Sequence, residues 1–174
     1  MKLLITGRPG VGKTTVIKRV AEKLGERATG FFTGEVRDAA SKKRRGFSVT
    51  TIEGESAVFA DVSFETSYRV SAYKVDVQRF EALALPAIEK AVKKKEGVIV
   101  IDEIGKMELF SKRFVRLVET IVKEPGLTIL ATVPLKNVHP LVKAIKEADD
   151  AVVMQVTEAN RDGLPDEVLA QLER

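Results

Sequence analysis

The sequence predicts an α/β fold: a mainly parallel sheet flanked by helices, with a β-hairpin inserted in its first half. Three observations carry this. Short aliphatic strands alternate with amphipathic helices, which implies parallel pairing through right-handed crossovers. A glycine-rich turn at residues 7–12 joins the first strand to the first helix. Val98, Ile99, Val100 and Ile101 form an unbroken aliphatic run, the pattern of a strand buried on both faces. The chain has 174 residues, which suits one domain, residues 1–174, around one core.

The elements follow in order. Residues 2–6 read as a strand, and residues 14–24 as a helix, because Val16, Ile17, Val20, Ala21 and Leu24 recur at helical spacing. Gly25 is placed to stop it. Residues 29–37 and 46–52 are β-prone, and the basic stretch 38–45 between them predicts a hairpin tip. A third strand near 56–60 completes an insertion at about 29–60. Residues 62–68 read as irregular and 70–75 as a strand. Asp76 is positioned to cap a helix reaching about Lys95, which Pro86 is expected to kink or to divide. Ser111 caps the next helix, which Pro125 and Gly126 end. Residues 127–132 read as a strand, 140–147 as a short helix and 151–156 as the last strand. Pro165 is expected to open a helix to Leu172.

Composition removes several chemistries. There is no cysteine, so disulfides, thiolate metal sites and cysteine nucleophiles are excluded. The single histidine, His139, is expected in a loop or a cap. No apolar stretch approaches the ~18–20 residues of a membrane span. With no secretory h-region either, the expected location is cytoplasmic. Asn and Gln together number five, and charged residues reach 31%, a balance that leans toward a thermophilic source. The net charge of +4 suits a polyanionic ligand but does not name one.

The chemistry sits in two motifs. Gly7-Arg8-Pro9-Gly10-Val11-Gly12-Lys13-Thr14, followed by Thr15, matches the phosphate-binding pattern G-x-x-x-x-G-K-[ST] between a strand and a helix. Its glycines let successive backbone N–H groups turn toward an anion at a positive helix terminus. Lys13 would reach the β- and γ-phosphate oxygens, and the Thr14 hydroxyl would ligate Mg²⁺. The run Val98–Ile101 ends in Asp102 and Glu103, followed by Ile104 and Gly105. Asp102 would serve the Mg²⁺ shell, and Glu103 would orient or deprotonate a water. Small switch GTPases usually lack such a glutamate and carry an Asn-Lys-x-Asp motif, which is absent here. Together the motifs point to a RecA-like P-loop NTPase.

Residues 7–15, the stretch Asp102-Glu103-Ile104-Gly105-Lys106-Met107-Glu108-Leu109, and Asn160-Arg161-Asp162 together resemble the thermophilic nucleoside-triphosphatase family, whose animal relatives are called cancer-related NTPase. Residues 30–37 and 45–47 resemble that family's hairpin. The resemblance spans essentially the whole chain. It implies slow Mg²⁺-dependent hydrolysis of ATP, GTP and other nucleoside triphosphates. Lys106 stands where family members often have proline, and reads equally as a γ-phosphate contact or a solvated residue.

Asn160 and Arg161 lie just past the last strand, at the edge where ligands collect in open α/β sheets. Arg161 would stack on any base, and Asn160 with Asp162 could equally close a capping turn. Arg37, Arg44 and Arg45 are expected to be solvated, or to supply charge to the transition state. The expected substrates are ATP, GTP, CTP and UTP, handled with low base selectivity by a monomer. Two rivals share the loop: a nucleotide or small-molecule kinase, and a nucleic-acid-dependent ATPase using residues 42–45. Nucleic acid is not expected there, because no aromatic residue interleaves with that basic run.

Overall fold

β1 (Lys2–Thr6) is buried along its whole length and carries side chains into two different cores. Leu4 joins one apolar cluster while Leu3 and Ile5 join the other, as the two-residue period of a strand requires. The computed structural model describes residues 1–173. After β1 come α1 (Lys13–Leu24), β2 (Ala28–Arg37), β3 (Arg44–Thr51), β4 (Ser56–Asp61), β5 (Arg69–Val70), β6 (Tyr73–Val75) and α2 (Val77–Lys94). β7 (Val98–Ile101), α3 (Lys112–Ile121), β8 (Thr128–Thr132), α4 (Pro140–Lys146), β9 (Ala151–Gln155) and α5 (Leu164–Leu172) complete the order.

These strands form one sheet in the order β5-β6-β4-β3-β2-β7-β8-β1-β9. β2, β7, β8, β1 and β9 are mutually parallel, and β3, β4, β6 and β5 extend the sheet in antiparallel fashion from β2. β2 belongs to both halves. Its start, Ala28–Phe31, pairs with β7, and from Phe31 onward it pairs with β3. The expected hairpin is therefore grown out of a central strand of the parallel sheet. The expected strand at 70–75 is a two-stranded turn instead, because Ser71 takes a positive φ of 54° and reverses the chain.

α1 and α5 cover one face through Val16, Ile17, Val20, Leu24, Leu164 and Val168. α2, α3 and α4 cover the other. There Phe80 and Phe114 meet Phe31 of β2 edge-on, with ring centroids 5.6 and 6.2 Å away. β7 lies between the layers and is buried at all four positions, with Val98 and Val100 facing α1 and Ile99 and Ile101 facing α2.

The caps match the chain's local chemistry. Asp76 accepts the Arg79 amide at 3.1 Å, Ser111 accepts the Phe114 amide at 2.9 Å, and the His139 ring accepts the Leu141 amide through Nδ1 at 3.1 Å. Pro86 does not divide α2, which runs unbroken past it. Pro86 and Ala82, whose carbonyl loses its helical partner, are both exposed, so water satisfies that group. Pro165 is the second residue of α5 rather than the first. Among the described residues no helix is long and apolar enough to cross a membrane.

The joint between the two halves of the sheet is tight. Gly30 has φ +142°, and a Cβ there would lie 2.0 Å from the Val100 carbonyl oxygen of β7. Gly30→Ala should therefore separate β2 from β7 and cost more than about 2 kcal/mol. Gly163, whose nearest neighbour to such a Cβ is 4.0 Å away, should accept alanine within about 0.5 kcal/mol. Urea unfolding of both variants checks this; equal losses would show that the contact at Val100 is easily relieved.

Candidate active site

β1 delivers the chain to Gly7, where a Cβ would lie 2.9 Å from both Val11 Cγ1 and the Val156 carbonyl oxygen. The loop closes on itself through the Val11 amide, which donates to the Arg8 carbonyl at 3.2 Å. Gly12 takes φ +113° as the N-cap of α1, a conformation that favours glycine. Lys13 folds over the loop, and its Nζ donates to the carbonyls of Gly7 at 3.1 Å and Arg8 at 3.3 Å. The first turn of α1 has no acidic residue, so its positive end is left for an anion.

Asp102 follows directly from β7 and is 1% exposed. Three segments converge on its carboxylate. Thr14 of α1 donates to Oδ2 at 2.9 Å, Thr132 of β8 donates to Oδ1 at 2.6 Å, and the Thr33 amide of β2 donates to Oδ2 at 3.3 Å. Burial pushes the Asp102 carboxyl above its ordinary range, and the bonds from Thr132, Thr14 and Thr33 oppose it. Glu103, half-buried, is pushed up chiefly by burial; the Lys13 ammonium opposes this and the Asp102 charge adds to it.

These groups line one cleft of about 550 Å³. Its floor is the phosphate loop, with Pro9, Gly10, Gly12, Lys13, Thr14 and Thr15. Asp102 and Glu103 line it further, together with Thr33, Gly34, Glu35, Arg44 and Phe47 of the hairpin, whose root lies beside Asp102. Thr14 Oγ1 and Asp102 Oδ2 are hard oxygen donors of the kind Mg²⁺ takes, and that ion completes its shell with water and phosphate. Among the described residues no group of three or more His, Cys, Asp or Glu side chains could hold a metal.

Over the whole chain these features meet a known group of proteins. The model of the family described as NTPase matches residues 2–169. The chain belongs to that nucleoside-triphosphatase family. It is 49% identical to nucleoside-triphosphatase THEP1 of Aquifex aeolicus over 100% of both chains. The THEP1 crystal structure from that organism superposes with a TM-score of 0.93. Human cancer-related nucleoside-triphosphatase is 41% identical over 93% of this chain and 91% of its own. A solution structure of a human cancer-related nucleoside triphosphatase superposes with a TM-score of 0.82 over 98% of this chain and 96% of its own.

The remaining sequence candidates fall in different places. Val98, Ile99, Val100 and Ile101 are core residues that aim Asp102 and do not line the cleft, because both faces of β7 are covered by helices. Arg8, Val11, Ile104 and Gly105 also lie outside the lining. Asn160 is spent on its own loop: its Oδ1 accepts the Thr157 amide at 2.8 Å and its Nδ2 donates to the Gln155 carbonyl at 2.9 Å. Arg161 lies against the phosphate loop, its Cδ 3.7 Å from where a Gly12 Cβ would stand. Of the hairpin arginines only Arg44 lines the cleft. Arg45 is turned away in a paired contact with Asp61 at 2.9 and 3.0 Å, and Arg37 donates to the Lys42 carbonyl and to Glu35.

Several site residues escaped the sequence reading, among them Gly34, Glu35 and Phe47, which the sequence marks only as part of the family-like hairpin. Lys18 lies one helical turn beyond Thr14 and lines the cleft, so the 3.6-residue period was a usable signal. Thr132 and Thr33 required the strand order, since β8 and β2 flank β7, and Thr132, one residue past the last pair with β7, and Thr33, two past it, reach Asp102. Glu108, noted only as part of a family stretch, is 5% exposed. Its carboxyl packs over Gly105 against Glu103: a Cβ on Gly105 would lie 3.0 Å from Glu108 Oε2 and 3.1 Å from Glu103 Cδ. An alternating core pattern gives no hint of a buried acid in a turn.

Burial, reinforced by the Glu103 charge, holds the Glu108 carboxyl well above its ordinary range, although the Glu108 and Gly105 amides oppose it. A folded-state value above the unfolded one means the folded chain retains a proton that the unfolded chain has lost. The stabilisation is thus full below the ordinary carboxylate range and disappears as pH rises through the folded-state value. Glu108→Gln has no such proton, so it should gain stability relative to the parent between about pH 5 and about pH 8. Urea midpoints at the two pH values check this, and an equal difference at both would remove Glu108 as the titrating group.

Proposed function

We propose that the cleft binds the triphosphate of ATP, GTP, CTP or UTP together with Mg²⁺ and transfers the terminal phosphoryl group to water. The observation that carries this reading is the meeting of Thr14 and Asp102, 2.9 Å apart, in one cleft with Lys13 and Glu103. The loop amides and the α1 terminus would hold the phosphates. Lys13 would exchange its loop carbonyls for β- and γ-phosphate oxygens. Thr14 and Asp102 would hold Mg²⁺, which when bound neutralises charge on the β- and γ-phosphates.

Glu103 would accept a hydrogen bond from the attacking water and orient it in line with the γ-phosphate. Its raised proton affinity suits it to take the water's proton as the new P–O bond forms and the bond to the β-phosphate oxygen breaks. Arg44 is held at the cleft wall by Glu35 and the Tyr73 hydroxyl, each at 2.9 Å, so its guanidinium is positioned to meet charge on the phosphoryl group. The names of the relatives support hydrolysis over transfer to an acceptor, since they are nucleoside-triphosphatases. Low base selectivity is supported by the cleft's lining, which offers the phosphate loop, Thr33, Arg44 and Phe47, while its one hairpin acid, Glu35, is already engaged by Arg37 and Arg44.

Glu103→Gln should keep nucleotide affinity within a few-fold and lower turnover by about 10²–10⁴. Lys13→Ala should weaken binding by at least about tenfold, ~1.4 kcal/mol, with little change in melting. Calorimetry and phosphate release with nucleotide and Mg²⁺ alone check both. Full activity in Glu103→Gln would move water activation to another group, and phosphate release that begins only with an added acceptor would indicate a kinase.

Base selectivity has its own test. kcat/KM for ATP, GTP, CTP and UTP should agree within about tenfold, ~1.4 kcal/mol. Arg161→Ala, which removes a side chain lying on the phosphate loop, should raise KM for all four alike. A strong preference for one base would require a base-reading group that the lining does not supply.

A further inference from the structure

A second groove lies beside the phosphate cleft on the carboxyl side of the parallel strands. Its walls are the segment after β7 (Lys106, Leu109, Phe110), the segment after β8 (Val138, His139) and the β5–β6 turn (Arg69–Ser71). Two lobes of about 450 and 470 Å³ share Leu109, Phe110 and His139. Lys106 therefore lines this groove and is not part of the phosphate cleft lining.

The groove brings an aromatic pair and cations together. Tyr68 is 44% exposed and packs on Phe110 with ring centroids 5.1 Å apart. Arg69 and Lys106 stand in one lobe, and Lys112 and Arg116 in the other, all exposed. None of the four is in an ion pair among the described residues. The hairpin arginines differ: Arg37 and Arg44 are paired with Glu35, and Arg45 with Asp61, whereas Lys42 and Lys43 at the tip have no aromatic residue beside them in the sequence. Glu119 is the one acidic residue lining either lobe. His139 adds a donor: with Nδ1 accepting the Leu141 amide, its neutral ring carries the proton on Nε2.

We propose that this groove binds single-stranded nucleic acid, with bases on the Tyr68–Phe110 pair and phosphates on Arg69, Lys106, Lys112 and Arg116. Unpaired cations flanking exposed rings are what a sequence-tolerant single-strand groove requires. A chain with a phosphate at every nucleotide can meet the cations of both lobes at once. A duplex hides its base faces, so the rings favour a single strand. The groove is also linked to the chemistry: the turn Glu108–Phe110, whose Leu109 and Phe110 line it, continues the segment that begins at Asp102 and Glu103. A strand seated on Phe110 would therefore press on the support of Glu103. The sequence conceals the site because its rings and cations come from separate segments.

The test is fluorescence anisotropy of a labelled twelve-nucleotide oligo(dT) with the full-length protein at several salt concentrations. The expected result is salt-dependent binding, with a duplex of the same length bound at least tenfold more weakly. Lys112→Ser with Arg116→Ser should lower affinity at least tenfold and reduce the log–log salt slope by about 1.4, two contacts at ~0.7 each. Tyr68→Ala should weaken binding by a similar factor while leaving the salt slope unchanged. Lys42→Ser with Lys43→Ser, at the hairpin tip, should retain parental affinity. Loss of affinity in the hairpin variant but not in the groove variants would overturn the proposal, as would the absence of oligonucleotide binding. Displacement of the oligonucleotide by thymidine monophosphate at equal nucleotide concentration would instead assign the groove to a small nucleotide and overturn it too. Because the readout is binding, these outcomes stand apart from whether Glu103 activates water.

Discussion

A carboxylate that is 1% exposed, Asp102, receives hydrogen bonds from α1, β2 and β8 at once. Burying a charge without partners is strongly unfavourable, and here three donors offset part of that burial, which still raises the carboxyl's proton affinity. That requirement fixes more than one side chain. The Thr14 bond sets where α1 begins relative to β7, and therefore where the phosphate loop lies. The Thr33 amide ties the hairpin's root to the same point, and Thr132 locks the adjacent strand. Loop, acid pair and hairpin can form one cleft because all three are anchored on one carboxylate.

The aliphatic frame makes that anchoring possible. β7 presents Val98 and Val100 to one helical layer and Ile99 and Ile101 to the other, so the strand cannot rotate or slip without exposing a whole face. Its end is fixed, and the next residue is the carboxylate. Gly30 lets β2 approach β7 closely enough for its backbone to reach Asp102, and the same strand then leaves the parallel sheet to become the hairpin wall. A core contact and a site contact are thus made by one strand, ten residues long.

Much of this was legible in the sequence, and what was not has a physical reason. The phosphate loop and the acidic strand end are local patterns, and the alternation of strand and helix signals was enough for the fold class. The caps at Asp76, Ser111 and His139 were readable because capping is decided within three residues. Pro86 was misleading, because a proline on the solvent face of a helix frees a carbonyl that water can satisfy. Thr132, Thr33 and Glu108 were hidden for another reason. Their roles depend on which strands neighbour β7 and on how a turn folds back over Gly105, and a one-dimensional pattern does not encode either.

Basic residues show most plainly why composition and runs of charge are poor guides to a site. The chain's net charge is +4, and its densest basic stretch is the hairpin tip. Yet its arginines carry internal tasks. Arg45 is held by a buried aspartate, Asp61, whose carboxyl it keeps well below the ordinary range. Arg44 is fixed between Glu35 and the faces of Phe47 and Tyr73, about 5 Å from each ring. A guanidinium so constrained has little left to search for a partner, but it is well placed for a ligand that arrives in the cleft. Cations without acidic partners keep their full attraction for a polyanion; among the described residues these include Arg69, Lys106, Lys112 and Arg116 in the groove past β7 and β8, and also Lys42 and Lys43 at the hairpin tip. How much a basic stretch attracts a polyanion therefore depends on how many of its charges are already paired, and not on their density in the sequence alone.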